Sequence, residues 1–351
     1  MAHLVDTNGS TGSGEQAHTR RVLVVTEFAL SLVLMIAAGL LLRSFWDLLK
    51  VRLGFNPQSV MAVRTWLPVP NDPETDMYRT PAQQAPFLRE ILRRARTLAG
   101  VEEVAVGDLA ALPLGHARND LNPQALILEG RAAPGKQAPL VDATMVTPDY
   151  FRLLGMTLVR GRLFGDFDDE KAPGAAVINE TFARIYWPDG DPLGKHLKLE
   201  NARGTTTNPS WITVVGVIAD ARTDSLAEAS VPKIYLSLFQ REAKDLAIFL
   251  RGRLDPAATP VDLRKQVQAV NPELPVFGAQ TLNEMVSASL SVRRFSMEMV
   301  GLFALTALLL AGLGIYGVIS YIVSERTHEI GIRLALGAQR ENIMSHYCAR
   351  D

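Results

Sequence analysis

The chain has 351 residues, 36 Lys and Arg against 37 Asp and Glu, and a formal net charge of -1, so it offers no basic field to a nucleic acid. Its single cysteine, Cys348, excludes an intrachain disulfide framework and a cysteine-built zinc site, and reads as an incidental thiol. The hydrophobic share of 48% is ordinary for a soluble domain, which means that any membrane signal has to come from local clustering.

Residues 1–20 form a polar segment with the Gly/Ser-rich stretch NGSTGSGEQAH, expected to be flexible. The run VLVVTEFALSLVLMIAAGLLL from Val22 to Leu42 then carries one ionisable residue, Glu27, over about 20 positions, the length of a hydrocarbon core. It starts too far from the N-terminus, and lacks the small-residue cleavage pattern before Arg43, to read as a signal peptide. Glu27 lies near Arg20 and Arg21 and is expected to reach the interface or pair with one of them rather than to mark a transport site. Continuation through RSFWDLLKV to Val51, with Phe45, Trp46, Leu48 and Leu49 as an apolar stripe, predicts a first membrane helix and stalk over 21–51.

The region 52–280 alternates strand and helix patterns. A β-rich run near Ser59 to Val69 precedes a helix after Pro81, where Leu88, Ile91, Leu92, Ala95 and Leu98 recur at helical spacing. Gly100 stops that helix before a strand at Val101 to Val106, a βαβ-like unit. A short helix Pro148 to Leu154, a strand AAVIN and a helix ETFARIYW ended by Pro188 form a middle subdomain. Strands at Trp211 to Ile218, Ile234 to Leu238 and Leu246 to Leu250 lead to a helix Pro260 to Val270, capped by Thr259 with Asp262, and to a closing strand near Pro275 to Ala279. The predicted fold class is α+β: an extracytoplasmic mixed α/β domain of two subdomains on stalk helices, with two transmembrane α-helices.

Thr281 to Glu284 reads TLNE, a capping box, and no Pro or Gly interrupts the pattern until Gly301. Met299 to Val323 is uncharged over about 25 residues, the second predicted span. One helix over 281–323 would run on the order of 60 Å, about twice the hydrocarbon thickness, and act as a lever. Ala307, Ala311, Gly312, Gly314 and Gly317 supply small surfaces on which another membrane helix can pack. Two spans place both termini on one side and the domain on the other.

Several motifs fail on their context. GLGIYG, Gly312 to Gly317, matches GxGxxG inside an apolar helix, without the preceding strand that a dinucleotide needs. DGDPLGKH resembles a phosphate loop, but its spacing is short and His196 replaces the magnesium-holding Ser/Thr, so no ATPase is expected in this chain. Asp166, Asp168, Asp169 and Glu170 lack the EF-hand spacing. The six histidines are scattered without HExxH or a nucleophile pattern. No enzyme, cofactor or metal site is expected.

After the second span, SERTHEIGIRLALGAQRENI (Ser324 to Ile343) reads as a helix with Ile332, Leu336 and Ile343 on one face, Ile330 and Leu334 on the other, and a Glu329/Arg333 pair at i,i+4. On physics alone it is a membrane-surface helix. Its wording, with Tyr321, Arg326, Thr327 and Glu329 to Ala338, closely resembles the signature after the second transmembrane helix of MacB/FtsX-type ABC transporter permeases. PDYFRLLGMTLVRGRLF, VINETFARIYWPDGDPLGKHL, WITVVGVIADAR and VPKIYLSL are similar to the periplasmic core domain of MacB-type permeases, and LLLRSFWDL agrees at the first span. The resemblance implies a multi-pass protein of the bacterial inner membrane with cytoplasmic termini, dimeric or paired with another permease half. It also implies a separate cytoplasmic ABC ATPase and a periplasmic adaptor as partners, with ATPase contact through Arg326, Glu329, Ile330, Gly331, Arg333 and Leu336 of a cytoplasmic coupling helix within 324–351. Family permeases have four spans, so this chain reads as a C-terminally truncated permease, an exporter part. The alternatives are an FtsX-like scaffold that regulates an envelope hydrolase and a non-functional gene fragment.

Overall fold

The structure is a computed structural model that describes residues 53–114, 124–130, 139–201, 210–223 and 230–335, with scattered positions of a helix between 22 and 46. The leader 1–20, Glu27, Leu336 and Cys348 lie outside the described residues. The chain divides into two compact units, Lys50–Ser291 and the pair of segments Met1–Leu49 with Val292–Asp351.

In the first unit, β1 (Val60–Trp66) and β2 (Val101–Asp108) flank helix α1 (Pro81–Ala95), as the sequence predicts, but they are not neighbours. Strand β10 (Asp245–Gly252) lies between them, antiparallel to both, and β11 (Val276–Thr281) pairs with the other side of β1. The order β11-β1-β10-β2 interleaves two split βαβ units, the second closed by helix α4 (Ala258–Gln268), in a ferredoxin-like sheet. Sequence order alone suggested contiguous units because local periodicity does not encode which strands pair. Met61, Val63, Val104, Val106, Ile248 and Leu250 alternate onto one face, where Leu88, Ile91, Leu263 and Val267 of the two helices cover them.

Everything between β2 and β10 is an insertion into this sheet. Strands β3 (Gln124–Leu128), β4 (Leu140–Val146), β6 (Gly174–Asn179), β7 (His196–Asn201), β8 (Ile212–Ile218) and β9 (Lys233–Ser237) pair in the cycle β4-β3-β7-β8-β6-β9-β4. The result is a six-stranded barrel, with β5 (Leu158–Gly161) added along β8. Alternate side chains, among them Leu126, Val141, Ile178, Leu197, Val214 and Leu236, fill its inside, and Phe182 of helix α3 (Glu180–Tyr186) joins the same core. The sheet and barrel share one ladder contact, Gly107 opposite Val146. Helix α2 (Tyr150–Leu153) packs between them in a third cluster with Phe249 of the sheet and Tyr235 of the barrel.

Local chemistry accounts for the element ends. Thr80 accepts from Gln83 N at 3.3 Å while Gln83 Oε1 accepts from Thr80 N at 3.0 Å, a full capping box before Pro81. The predicted cap of α4 is different: the helix starts at Ala258, and Thr259 Oγ1 accepts from Asp255 N instead, while Asp255 Oδ1 takes the Ala257 and Ala258 N–H groups. Asp255 sits where its carboxylate reaches two free amides, which Thr259, one residue inside the helix, cannot. Gly100 has φ +78°, and a Cβ built there would lie 2.2 Å from Arg253 O. Gly100→Ala is therefore expected to cost about 2 kcal/mol, read as a lowered urea midpoint at constant slope; an unchanged midpoint would contradict the close approach.

Helix α5, Leu282–Ala335, is a single element of 54 residues, about 80 Å at 1.5 Å per residue. Its capping box is as predicted, Thr281 N to Glu284 Oε2 at 2.8 Å and Glu284 N to Thr281 Oγ1 at 3.2 Å. It does not end near Val323: the helix continues through the Glu329 to Arg333 stretch, so no element boundary falls at 323/324. From Ser324 to Ala335 the helix contains no Pro, and the single glycine there, Gly331, is tolerated at a modest cost. Among the described residues one helical stretch, Leu282–Gly317, is long and apolar enough to cross a membrane, whereas the N-terminal helix contributes a shorter apolar stretch, Met35–Ser44.

Candidate functional site

Helix α5 carries the predicted packing residues and, except for Leu336, the predicted contact residues. Met297, Val300, Ala304, Ala307, Ala311, Gly314 and Gly317 recur at intervals of three and four and make up the least exposed line of its apolar half. Ala311 is buried at 6% exposure, while Leu308, Leu309 and Leu313 on other faces are at least half exposed. Four of the five small residues read from the sequence lie on that line. Gly312 does not: it is exposed, and a Cβ there would meet nothing within 4 Å. Arg326, Glu329, Ile330, Gly331 and Arg333 lie in the last turns of the helix, with Glu329 and Arg333 one turn apart along its backbone.

A second candidate site, which the sequence did not reveal, lies in the first unit where sheet and barrel meet. Asp108 ends β2 and caps the short 3-10 turn Leu109–Ala111, its Oδ1 accepting from Ala111 N at 3.1 Å. The carboxylate is 8% exposed, and burial pushes it up to about 7. Backbone N–H groups of Met145, Ala111 and Ala110 and the positive charge of Lys233 pull the other way without reversing the shift. Lys233 is itself buried at the start of β9 and donates from Nζ to Thr223 Oγ1 at 2.9 Å. Asp142 of β4 stands opposite Lys233 in the parallel ladder. A residue following an apolar strand, as Asp108 follows VAVG, reads as an ordinary turn cap, and only the barrel's position buries it.

Asp108 lines a cavity of about 610 Å³. Ala143, Met145, Leu199 and Leu236, all packed on the barrel core, form its apolar wall. Gln240, Arg241, Glu242, Lys244 and Asp245 from the β9–β10 connection form a polar rim. Lys244 is held by Asp76 at 2.6 Å, which keeps that carboxyl below the usual carboxylate range.

The rejected motifs have structural explanations. Asp168 is buried and bound bidentately by Arg162 at 2.7 and 2.9 Å, with Gly165 N at 2.8 Å, and Glu170 pairs with Arg89 at 3.0 Å. These carboxylates bind arginines that fasten the 165–173 loop. In the phosphate-loop lookalike, Gly194 takes φ +75° in a turn that feeds strand β7, so no helix N-terminus follows it. His196 faces Glu129 at 2.7 Å. GLGIYG lies inside α5.

A ferredoxin-like sheet with an inserted barrel, followed directly by a long apolar helix, defines a folded domain joined to a membrane-type helix. Family models match it on both parts: the MacB-like periplasmic core domain over residues 29–270 and the FtsX-like permease C-terminal domain over residues 301–349. The chain belongs to the MacB/FtsX-type ABC transporter permease family. It is 22% identical over 197 residues to the macrolide export ATP-binding/permease protein MacB of Marinobacter nauticus, covering 54% of this chain and 29% of that protein. The MacB protein of Neisseria gonorrhoeae is 25% identical over 211 residues, 58% of this chain and 31% of that one. The chain thus matches less than a third of these relatives' own length. Among solved structures, the periplasmic region of MacB from Actinobacillus actinomycetemcomitans matches with a TM-score of 0.42 at 11% identity, covering 69% of this chain and 97% of that one. The extracellular domain of the ABC-type transporter YknZ matches with a TM-score of 0.39 at 12% identity, covering 62% and 100%.

Proposed function

We propose that the chain is a permease part of an ABC-type exporter of the inner membrane that passes ATP-driven motion of a separate cytoplasmic ATPase to its outer domain. On this reading Val22 to Leu42 is a further span, and ATP is bound by the partner subunit. The supporting observation is helix α5: one unbroken element carries the capped start at Leu282, the apolar stretch and the Glu329 to Arg333 motif. A continuous helix transmits a displacement at one end to the other because its backbone hydrogen bonds resist bending, and no Pro interrupts it. Arg326, Glu329, Ile330, Gly331 and Arg333, with Leu336 beyond the described residues, form the ATPase contact. The small line from Ala307 to Gly317 packs on another membrane helix, and a second copy or another permease half completes the permease. A periplasmic adaptor completes the proposed partners.

The test uses the chain reconstituted with its ATPase in lipid. The triple variant Glu329→Ala, Arg333→Ala, Leu336→Ala is expected to lose at least tenfold in stimulation of ATP hydrolysis while the outer domain keeps its unfolding midpoint. Undiminished stimulation would remove the coupling assignment.

A further inference from the structure

The chain that enters the outer domain at Leu53 crosses the junction of sheet and barrel as a strap, fastened on both sides. On the barrel side, Leu53 O accepts from Arg222 N at 2.8 Å. Gly54 takes φ +76°, and a Cβ there would lie 2.4 Å from Asp220 O, so only glycine lets the strap lie this close to the 220–222 backbone. That backbone is fixed to the barrel, because the Asp220 carboxylate accepts from Thr181 N at 2.9 Å and from Thr181 Oγ1 at 2.7 Å in helix α3. On the sheet side, Asn56 N donates to Leu154 O at 2.7 Å, just past the end of α2. Arg251 of β10 donates from Nη2 to Asn56 O at 2.9 Å and from Nε to Leu153 O at 2.6 Å, so one guanidinium holds both the strap and α2 on the sheet. Between the two fastenings Phe55, 7% exposed, enters the hydrophobic cluster of the junction, which Leu282 and Met285 of α5 also reach.

We infer that residues 53–56 are a latch: seated, they hold the barrel on the sheet, and lifted, they let it swing about the ladder pair Gly107 and Val146, beside which Thr147 N donates to Val106 O at 2.8 Å. The two fastenings are unequal. The barrel side has one neutral backbone hydrogen bond, whereas the sheet side has one backbone bond and two from a charged donor that also grips α2. The barrel side therefore releases first, with Asn56 still held by Arg251. Leu53 is also the strap residue nearest in sequence to Val22 to Leu42, so a displacement of that segment reaches the weaker fastening first. The source of such a pull rests on the proposed first span; the latch rests only on contacts within the outer domain.

The experiment uses the full chain in lipid nanodiscs. Spin labels at Gln268→Cys on α4 and Asp189→Cys after α3, both exposed positions, in a Cys348→Ser background report the separation of sheet and barrel by double electron–electron resonance. Hydrogen exchange is read on the unlabelled chain. The parent is expected to give one dominant distance. Gly54→Val, whose side chain drives the strap off Asp220, should raise a second, separated population about tenfold. It should also speed exchange across 219–223 by about the same factor, while the amides of Phe249 in the sheet and Val177 in the barrel stay protected. Arg251→Met removes the sheet fastening without adding bulk and should raise the same population, which keeps the test decisive if Gly54→Val does not fold. Distance distributions unchanged in both variants would overturn the latch. So would exchange that quickens through both halves together, the mark of general destabilisation. No ATPase is present, so the result stands or falls apart from the coupling reading.

Discussion

Tyr150→Ala is expected to destabilise the outer domain by about 4 kcal/mol, the usual cost of deleting a fully buried aromatic ring. Tyr150 is 1% exposed and stands in the aromatic cluster at the junction. Its ring centroid lies 5.4 Å from Phe249 of the sheet at 76° and 5.8 Å from Phe151 at 82°, edge-to-face arrangements that add to the burial. Tyr235 of the barrel is 6.4 Å away. The Tyr150 hydroxyl donates to Ala111 O at 2.6 Å, just after the Asp108 cap. Because the β2–β4 ladder joins sheet and barrel at a single residue pair, this side chain carries much of their packing. Tyr150→Phe separates the two contributions: it keeps the ring and leaves the buried carbonyl of Ala111 without that donor, for about 1–3 kcal/mol. Urea unfolding of the full chain, followed by the fluorescence of Trp66, Trp187 and Trp211, measures both. A Tyr150→Ala midpoint within error of the parent would mean that the junction is held elsewhere.

Elements whose signals are local were legible in the sequence. Thr80 with Gln83 and Pro81 marks the start of α1, Asn179 precedes α3 and accepts from Phe182 N, and TLNE opens α5; each needs only residues within a turn. Strands β3, β4 and β7 of the barrel and the added strand β5 carry no such local signal. Leu158 to Gly161 is wholly exposed, so it has no alternation to detect, and Asp142, Thr144 and Met145 place polar and apolar side chains on opposite faces that are both covered. The stretch from Arg326 to Arg333 stood out through its likeness to a family motif, not through periodicity. Asp108 was silent for another reason: its burial comes from a barrel strand about forty positions away, and no local pattern encodes that distance.

Asp108 also sets an expected pH dependence. Its folded-state pKa, about 7, lies above its ordinary 3.8, so the folded domain binds more protons than the unfolded chain between those limits. Stability from this group is therefore fully present below about pH 4 and is lost as pH rises through about 7, where the carboxylate must ionise in its buried place. The displacement corresponds to about 4 kcal/mol. Asp108→Asn removes the titration while keeping the cap acceptor. The variant is expected to match the parent near pH 4, to exceed it in stability by an amount approaching that figure at pH 8, and to flatten the slope between. Lys233, Asp142 and the rim charges Arg241, Glu242, Lys244 and Asp245 surround the site in both proteins and cancel from the comparison. Glu90, held at about 2 by Arg93 and Arg94, acts in the opposite sense and in another window: its contribution is present above its ordinary 4.5 and fades as pH falls towards 2. Asp76, held low by Lys244, behaves in the same direction as Glu90. The two effects meet near pH 4, so a loss of stability on the alkaline side of that point, absent in Asp108→Asn, belongs to Asp108, and parallel profiles for the two proteins would show that the carboxylate is not buried in its charged form.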